Sequence, residues 1–267
     1  MSAKKSEIFG KYDEFGAYHW GFTYIGGFRR SSPRSHALYD VPLRIVSKRL
    51  GASLVAVRGA DVGCGDGVLV YKAMKQGGTI IGIDLTQKAL TYAAQEISKR
   101  SSRRPSLINS TCYKLPLPSN SLDFIVSTEL IEHLHYDENF TWEAARVLRP
   151  GGVFICTTPN QLQDGPPIQD DYHIREYTSS SLHELLSRFF VEVEVLGLYP
   201  SWLDNLYFCK NWPHLIGTSS RFAFKIVLPF YNPYSHFVVS NVTNNTKCAN
   251  LIGIGAKQHS PMSPPTL

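Results

Sequence analysis

A short glycine-rich segment constrains the fold of this chain more than any other feature. Residues 61–67 read Asp-Val-Gly-Cys-Gly-Asp-Gly and stand between a predicted β-strand and a predicted amphipathic helix. Gly63 and Gly65 lack a Cβ atom, so they permit a tight turn and a close approach of the backbone to a ligand. The unpaired N–H groups at the start of the next helix favour a carboxylate. The segment therefore predicts a ligand-binding loop at a strand-to-helix junction.

An acidic residue ends the next apolar stretch. Residues 79–83 read Thr-Ile-Ile-Gly-Ile and are followed by Asp84. In dinucleotide-binding folds, an acid about 20 residues after the glycines binds the ribose hydroxyls. A glycine loop and such an acid do not by themselves exclude a dehydrogenase. The glycines here, however, are spaced GxGxG rather than GxGxxG.

Strand and helix patterns alternate along the middle of the chain. We predict strands near residues 60–62, 79–83, 107–109, 122–127, 153–157, 191–198 and 250–256, and helices near 68–76, 87–99, 139–147 and 179–189. This alternation predicts a Rossmann-like α/β fold with a seven-stranded, mostly parallel sheet and helices on both faces. A helix from Ser32-Pro33 to about Leu50, bent at Pro42, should precede the first strand.

The chain divides into five predicted segments. They are an N-terminal helical lid (1–50), a cofactor-binding core (51–198), an aromatic insert between strands six and seven (199–247), the last strand (248–257) and a disordered tail (258–267). The aromatic residues of the N-terminal segment either form a lid or pack on the core. The insert has three interpretations: a hydrophobic acceptor pocket, a peripheral membrane contact, or a small helical subdomain that packs its own aromatic residues.

Composition narrows the class of protein. The formal net charge is +5, and the densest basic patches, residues 99–104 and 29–34, are interpreted as solvated faces, so nucleic acid is not the expected partner. The five cysteines form no CxxC pair, which indicates reduced thiols and a cytoplasmic location. The sequence has no apolar run of about 18 residues, so no membrane span is predicted. The oligomeric state is not indicated.

Asp61, the GxGxG loop and Asp84 together resemble the class I methyltransferases that use S-adenosylmethionine (SAM). Residues 115–118 (Leu-Pro-Leu-Pro), 121–126 (Ser-Leu-Asp-Phe-Ile-Val) and 147–152 (Val-Leu-Arg-Pro-Gly-Gly) are similar to later segments of the same family. The resemblance covers roughly residues 55–198. It implies that SAM is the cofactor.

The resemblance also implies a set of SAM contacts. Asp61, Gly63 and Gly65 should surround the methionine part, Asp84 should hold the ribose hydroxyls, and Leu85 should pack near the adenine. The remaining expected pocket residues are Cys64, Gly67, Thr111, Cys112 and Thr128. The family usually has an acid before the Leu-Pro segment, whereas residues 110–114 here read Ser-Thr-Cys-Tyr-Lys. Thr111 or a backbone carbonyl would then contact the adenine amine.

A second group of polar residues follows the strand near 122–127. On a helix, Glu129, Glu132 and His133 would occupy positions i, i+3 and i+4 and share one face. With the later segment His173-Ile-Arg-Glu-Tyr-Thr, this pattern resembles the metal-dependent small-RNA 2′-O-methyltransferases. That likeness implies a divalent metal held by Glu129, Glu132, His133 and His173. Such ligands suit Mn²⁺, Fe²⁺, Co²⁺ or Zn²⁺, and Mg²⁺ less well. Ubiquinone-pathway O-methyltransferases share the first element.

The same residues also have a metal-free interpretation. Glu132 and His133 then only cap or line the pocket, and a histidine serves as general base, in the order His133, His173 and His19. The leading functional hypothesis is O-methylation of a small hydroxylated acceptor such as a sugar, a glycolipid headgroup or a phenol. A bound metal would narrow the acceptor to a vicinal diol. The alternatives are an RNA 2′-O-methyltransferase and a non-catalytic SAM-binding protein, and the intact glycine loop argues against the second.

Overall fold

One mixed sheet organises the chain. The computed structural model describes residues 11–23, 33–198 and 238–258. Its sheet has eight strands in the order β3-β2-β1-β4-β5-β8-β6-β7. The strands are β1 (Arg58–Val62), β2 (Thr79–Asp84), β3 (Ser106–Asn109), β4 (Leu122–Thr128), β5 (Leu148–Pro159), β6 (Val191–Leu198), β7 (Val238–Val239) and β8 (Asn250–Ala256).

The strand directions confirm most of the predicted sheet. Neighbouring strands from β3 to β5 pair in parallel, whereas β8 lies antiparallel between β5 and β6. The predicted count of seven strands is wrong by one. The additional strand, β7, has only two residues, which pair with Gly197 and Leu198 of β6. A strand this short carries too little periodicity to be found in a sequence.

Helices cover both faces of the sheet. They are α1 (Lys11–Phe15), α2 (Tyr18–Thr23), α3 (Pro33–Ser35), α4 (Val41–Leu50), α5 (Val68–Lys75), α6 (Gln87–Ser98), α7 (Asp137–Val147) and α8 (Ser179–Ser187). Each of the four predicted core helices is present, with ends that differ by at most two residues. None of the helices within the described ranges is both long and apolar enough to span a bilayer.

The helix predicted from Ser32 to Leu50, bent at Pro42, is helical throughout its described residues but is not a regular α-helix. Residues 31–32 lie outside the described part, and the remainder is α3, a π-helical turn over His36–Asp40, and α4. Pro42 stands in the first turn of α4. Proline has no N–H donor and its ring crowds the preceding turn, so the widened π turn accommodates it.

The strands bury alternate side chains on opposite faces of the sheet. In β4, Phe124 and Val126 pack with α4 and α5, whereas Ile125 packs with α7 and α8. Gly59 in β1 is part of this packing, because a Cβ atom there would lie 2.2 Å from the Phe124 ring. The glycine that interrupts the apolar first strand therefore makes room for a core aromatic residue.

Two segments assigned from the sequence are only partly described. In the N-terminal segment (1–50), α2 packs on the core through Trp20, whose indole N–H donates to the Asp66 carbonyl at 2.7 Å. Within the insert (199–247), residues 199–237 lie outside the described ranges, and the next two residues join the sheet as β7. Of the tail (258–267), residues 259–267 lie outside the described ranges.

Candidate functional site

The candidate site lies where the strand order reverses. The chain runs outward from β1 through β2 to β3 and then returns to the other side of β1 as β4. Open α/β sheets bind ligands at this point, beyond the carboxyl ends of the strands. A cavity of about 620 Å³ occupies it here. The loop after β1 forms one half of its wall, and the segments after β4 and β5 form much of the other half.

The glycine loop approaches the N-terminal helices closely. Gly65 has a φ of +51°, in the left-handed region that favours glycine. A Cβ atom at this position would lie 2.1 Å from the Tyr12 hydroxyl oxygen. Tyr12 of α1 therefore lies directly over the loop and leaves no room for a side chain at position 65. Tyr12 did not stand out in the sequence, since it lies about 50 residues before the loop with no recognisable spacing.

Asp84 fixes the loop to the end of β2. Its carboxylate accepts the backbone N–H of Gly65 at 2.9 Å and that of Thr86 at 2.8 Å. Burial raises the pKa of Asp84, and these two hydrogen bonds oppose that rise. The adjacent Leu85 lines the cavity with 47% of its surface exposed. Asp84 and Leu85 thus lie beside the loop, and their contacts with ribose and adenine stay predictions.

Asp61 is the buried acid of this half. It is 1% exposed, and its Oδ1 atom has no hydrogen-bond partner in the part of the chain that the structure describes. Burial, together with the nearby Asp84 charge, raises the pKa of Asp61 well above its ordinary value. An unpaired, buried carboxyl oxygen at the wall of a cavity is suited to receive a hydrogen-bond donor or a cation from a ligand.

The other predicted cofactor residues fall into two groups. Cys64, Thr111, Cys112 and Thr128 line the cavity with Gly63. Gly67 does not, because it faces α6, where a Cβ atom would lie 2.8 Å from the Ala93 Cβ. Its contribution to the cofactor pocket stays a prediction. Glycine at this position lets two helices pack closely.

His19 lies at the loop end of the cavity. Its Nδ1 lies 3.0 Å from Asp66 Oδ1, and its backbone N–H donates to the other oxygen of Asp66 at 3.0 Å. His19 is thus held against the glycine loop by a buried carboxylate. Asp66 was not singled out from the sequence, although it lies inside the glycine segment.

Glu129 does not lie on a helix, so the predicted shared helical face is wrong. It follows β4 with a φ of +51°, an uncommon conformation for a residue with a side chain. Thr157 Oγ1 and Asn250 Nδ2 each donate to one of its carboxylate oxygens at 2.8 Å. Burial raises the pKa of Glu129, and the Thr157 hydrogen bond opposes that rise. Both oxygens of Glu129 are therefore committed to neighbouring strands.

Glu132, His133 and His173 nevertheless come together. One ligand atom of each residue lies within 4.8 Å of the other two. Glu132 and His133 belong to a 3-10 turn over Ile131–His133, and the rings of His133 and His173 are 5.0 Å apart. Glu132 is 1% exposed, and neither of its carboxylate oxygens has a hydrogen-bond partner among the described residues. Burial and the Glu129 charge raise the pKa of Glu132 well above its ordinary value.

Hydrogen bonds orient the two imidazole rings. His133 Nδ1 donates to the Tyr172 carbonyl at 3.0 Å, and burial lowers the pKa of His133. In the neutral ring the proton therefore sits on Nδ1 and Nε2 carries the lone pair. His173 Nδ1 lies 2.7 Å from the Glu176 carboxylate, which directs its Nε2 away from Glu176. A carboxylate behind a histidine is a common support for a metal ligand.

Backbone contacts hold the two segments against each other. The N–H groups of Ile174 and Arg175 donate to the Glu132 carbonyl at 2.8 and 3.2 Å. The Arg175 guanidinium also pairs with Asp137 at the start of α7. Sequence reasoning did not identify Arg175 or Asp137, because their partners are about 40 residues away along the chain.

The basic patch near residues 99–104 has structural contacts. Arg103 donates to the carbonyls of Met74 and Gly78, both at 3.3 Å. The Arg100 guanidinium lies 4.3 Å from the centre of the Trp20 ring. Arg103 therefore binds the C-terminal end of α5, and Arg100 binds the N-terminal helix α2.

Proteins similar in sequence match the middle of the chain. Residues 60–156 match the methyltransferase domain family. The chain is 32% identical, over 160 residues, to a probable S-adenosylmethionine-dependent methyltransferase of Mycolicibacterium smegmatis, covering 58% of this chain and 60% of that protein. It is 30% identical, over 125 residues, to a ubiquinone biosynthesis O-methyltransferase of Nitrosococcus oceani, covering 46% of this chain and 53% of that protein. The chain thus spans less than two thirds of these curated relatives.

A solved structure extends the likeness to the fold. Phosphoethanolamine N-methyltransferase 2 of Haemonchus contortus, in complex with S-adenosyl-L-methionine, superposes with a TM-score of 0.62 at 16% sequence identity. The match covers 93% of this chain and 58% of that one. Together with the glycine loop, Asp84 and the strand order, these likenesses show that residues 60–156 form a methyltransferase domain and that the chain is similar to SAM-dependent methyltransferases.

Proposed function

We propose that the protein transfers the methyl group of SAM to a hydroxyl of a small acceptor that presents two adjacent oxygens. The observation that carries this proposal is that one cavity joins the glycine loop and Asp84 to the cluster of Glu132, His133 and His173. The similarity to ubiquinone biosynthesis O-methyltransferases supports oxygen as the methylated atom.

The residues of the loop half fit SAM. The unpaired Oδ1 of Asp61 suits the ammonium of the methionine part, since an adjacent cation would offset the cost of a buried carboxylate. Asp84 retains acceptor lone pairs for the ribose hydroxyls beyond its two backbone hydrogen bonds. Leu85 offers an exposed apolar surface for the adenine.

The chain contributes mainly by positioning the acceptor. SAM supplies a methyl group on a sulfonium, which an oxygen attacks in line with the departing sulfur. The protein must therefore hold the acceptor oxygen at one distance and one angle, and such alignment provides much of the rate enhancement. Glu132, His133 and His173 line the same cavity as the loop, and we assign this role to them.

The same three residues fit a divalent cation. Two imidazole nitrogens and a carboxylate suit Mn²⁺ and similar ions, with Mg²⁺ less favoured. The buried Glu132 oxygens, which lack partners within the described ranges, are the strongest sign of a ligand here. A bound cation would hold both oxygens of a diol and lower the pKa of the attacking hydroxyl. We therefore favour metal-ligand roles for His133 and His173 over general-base roles.

His19 has a different place in this proposal. Its contact with Asp66 puts it beside the glycine loop, so we assign it to cofactor binding rather than to proton transfer. Arg100 and Arg103 hold structural contacts, which gives no added support to an RNA substrate.

The test is a methyl-transfer assay with isotopically labelled SAM. The acceptor panel should contain a catechol, its monohydroxy analogue, a sugar with a vicinal diol, and a short RNA with a terminal ribose diol. We expect transfer to at least one diol, with at least tenfold less to its monohydroxy analogue, and loss of transfer in EDTA with recovery in Mn²⁺. His173→Ala should abolish transfer, whereas His183→Ala, an exposed control on α8, should not.

Two results would contradict the proposal. Equal transfer to diols and monohydroxy acceptors would remove the requirement for two oxygens. Full activity after exhaustive chelation would show that the reaction needs no cation, and His133 would then become the preferred general base. Preference for the RNA over every small diol would instead favour an RNA 2′-O-methyltransferase.

A further inference from the structure

We propose that Asp170 is a fourth protein ligand of the cation, in the place that the sequence pattern assigned to Glu129. This inference rests on the cation of the proposed function. It changes which acid completes the site, and it connects that site to the N-terminal helix α1.

Glu129 is poorly placed to coordinate an ion. Thr157 and Asn250 each donate to one of its oxygens at 2.8 Å, and its backbone N–H donates to the Thr157 carbonyl at 3.1 Å. Coordination would break at least one of these contacts in a buried environment, leaving a polar group unpaired. Glu129 is better described as a residue that fixes the end of β4 to β5 and β8.

Asp170 stands beside the cluster instead. Its Oδ2 lies 3.8 Å from His173 Nε2, nearly the same as the 3.9 Å between Glu132 Oε1 and His133 Nε2. Ligands that bind one ion at about 2.1 Å lie about 3.0–4.2 Å apart, depending on the angle between them. Both pairs therefore have the spacing of two ligands on one ion, although Asp170 does not lie within 4.8 Å of all three members of the cluster.

The local chain fixes Asp170 in this position. Its Oδ1 accepts the Tyr172 backbone N–H at 2.9 Å, and its carbonyl accepts the His173 N–H at 3.2 Å. This turn leads directly into His173. Asp170 and His173 are thus joined by one hydrogen-bonded turn, and both residues line the cavity.

Lys11 of α1 shares this carboxylate. Its ammonium lies 3.8 Å from Asp170 Oδ2 and 4.8 Å above the ring centre of Tyr172. A divalent cation on Asp170 would meet the positive charge of Lys11 at short range, and the two would compete for one oxygen. The neighbouring Tyr12 lies over the glycine loop, so the same helix turn contacts both halves of the cavity.

The test measures Mn²⁺ binding to the full chain, by electron paramagnetic resonance of unbound Mn²⁺, without an acceptor. Asp170→Asn should weaken Mn²⁺ binding about tenfold or more, and Glu129→Gln should change it less than about threefold. Asp171→Asn is the matched control, because Asp171 is exposed, adjacent and equal in charge. Lys11→Met should strengthen Mn²⁺ binding roughly threefold. SAM affinity, measured on each variant, reports that the fold is intact.

The outcomes separate the two proposals. If the wild-type chain binds no Mn²⁺, the cation of the proposed function fails and this inference fails with it. If the wild-type chain binds Mn²⁺ and Asp170→Asn binds it equally well, only the inference fails. If Glu129→Gln greatly weakens Mn²⁺ binding and Asp170→Asn does not, Glu129 and not Asp170 is the fourth protein ligand.

Discussion

The carboxylate of Asp84 accepts a hydrogen bond of 2.9 Å from the backbone N–H of Gly65. The acid that ends β2 therefore shapes the glycine loop as well as facing the cavity. We expect Asp84→Ala to weaken SAM binding by about 1–3 kcal/mol, the cost of leaving buried polar groups unpaired. Titration calorimetry measures this loss, with the exposed Asp171→Ala as control. Unchanged affinity in a folded Asp84→Ala protein would refute the assignment of Asp84 to ribose binding.

The buried carboxylate of Asp61 lowers the stability of the ligand-free protein at neutral pH. Because its pKa is raised in the folded state, folding binds a proton, and stability falls as pH rises from 3.8 through the folded-state pKa. Asp61→Asn should therefore stabilise the ligand-free protein at neutral pH by about 1–3 kcal/mol, and this difference should vanish below pH 3.8.

Urea denaturation at several pH values measures this effect, and Asp171→Asn serves as the exposed control. The same Asp61→Asn variant should bind SAM more weakly, because the ammonium would lose its carboxylate. A variant that is neither more stable nor weaker in SAM binding would argue against a functional carboxylate at this position.

Gly65 should tolerate alanine only if Tyr12 changes too. The new Cβ would lie 2.1 Å from the Tyr12 hydroxyl oxygen but 3.4 Å from the ring carbon that bears it. Gly65→Ala should therefore reduce SAM affinity at least tenfold, and adding Tyr12→Phe should recover part of that loss. The left-handed φ still costs about 1–2 kcal/mol, so recovery should be incomplete. Calorimetry on both single variants and the double variant decides this, and strict additivity would exclude the proposed clash.

Glu176 should matter through His173. Removing the carboxylate 2.7 Å from His173 Nδ1 frees the ring to rotate, so Glu176→Ala should lower Mn²⁺ affinity about 10- to 100-fold. SAM affinity should not change, because Glu176 does not line the cavity. Glu184→Ala, an exposed change on α8, is the control. An equal loss of SAM and Mn²⁺ binding would indicate general unfolding rather than loss of ring orientation.

The insert should govern the acceptor rather than the cofactor. Leu198 and Val238 pair directly between β6 and β7, so a short Gly/Ser linker can replace residues 201–235 without breaking the sheet. We expect this variant to bind SAM normally and to lose methyl transfer. Flotation with liposomes, before and after replacement, tests the membrane-contact interpretation. Retained transfer would reduce the segment to a structural role.

The sequence predicted the core of this fold because that core depends on local patterns. β6 and β8 lie at their predicted limits, and the glycine loop and Asp84 meet as the spacing indicated. The errors are also physical. The π turn before Pro42 and the left-handed Glu129 arise from competition between backbone sterics and tertiary contacts, which a periodicity argument does not include.

The site was harder to predict than the fold. His133 and His173 could be found because their surroundings are recognisable sequence patterns. Asp170, Tyr12 and Asp66 are single residues whose roles depend on segments brought together from distant parts of the chain. Each sits at the wall of the cavity, yet none carries a spacing that distinguishes it from an ordinary surface residue.

Lys11 and Tyr12 are consecutive residues, so their Cα atoms stand about 3.8 Å apart. One reaches the carboxylate of Asp170, and the other lies against Gly65. A movement of α1 by more than this spacing would release both contacts together. One movement of α1 would then control access to the cavity for both the cofactor and the acceptor, and the rate of that movement would limit the exchange of both.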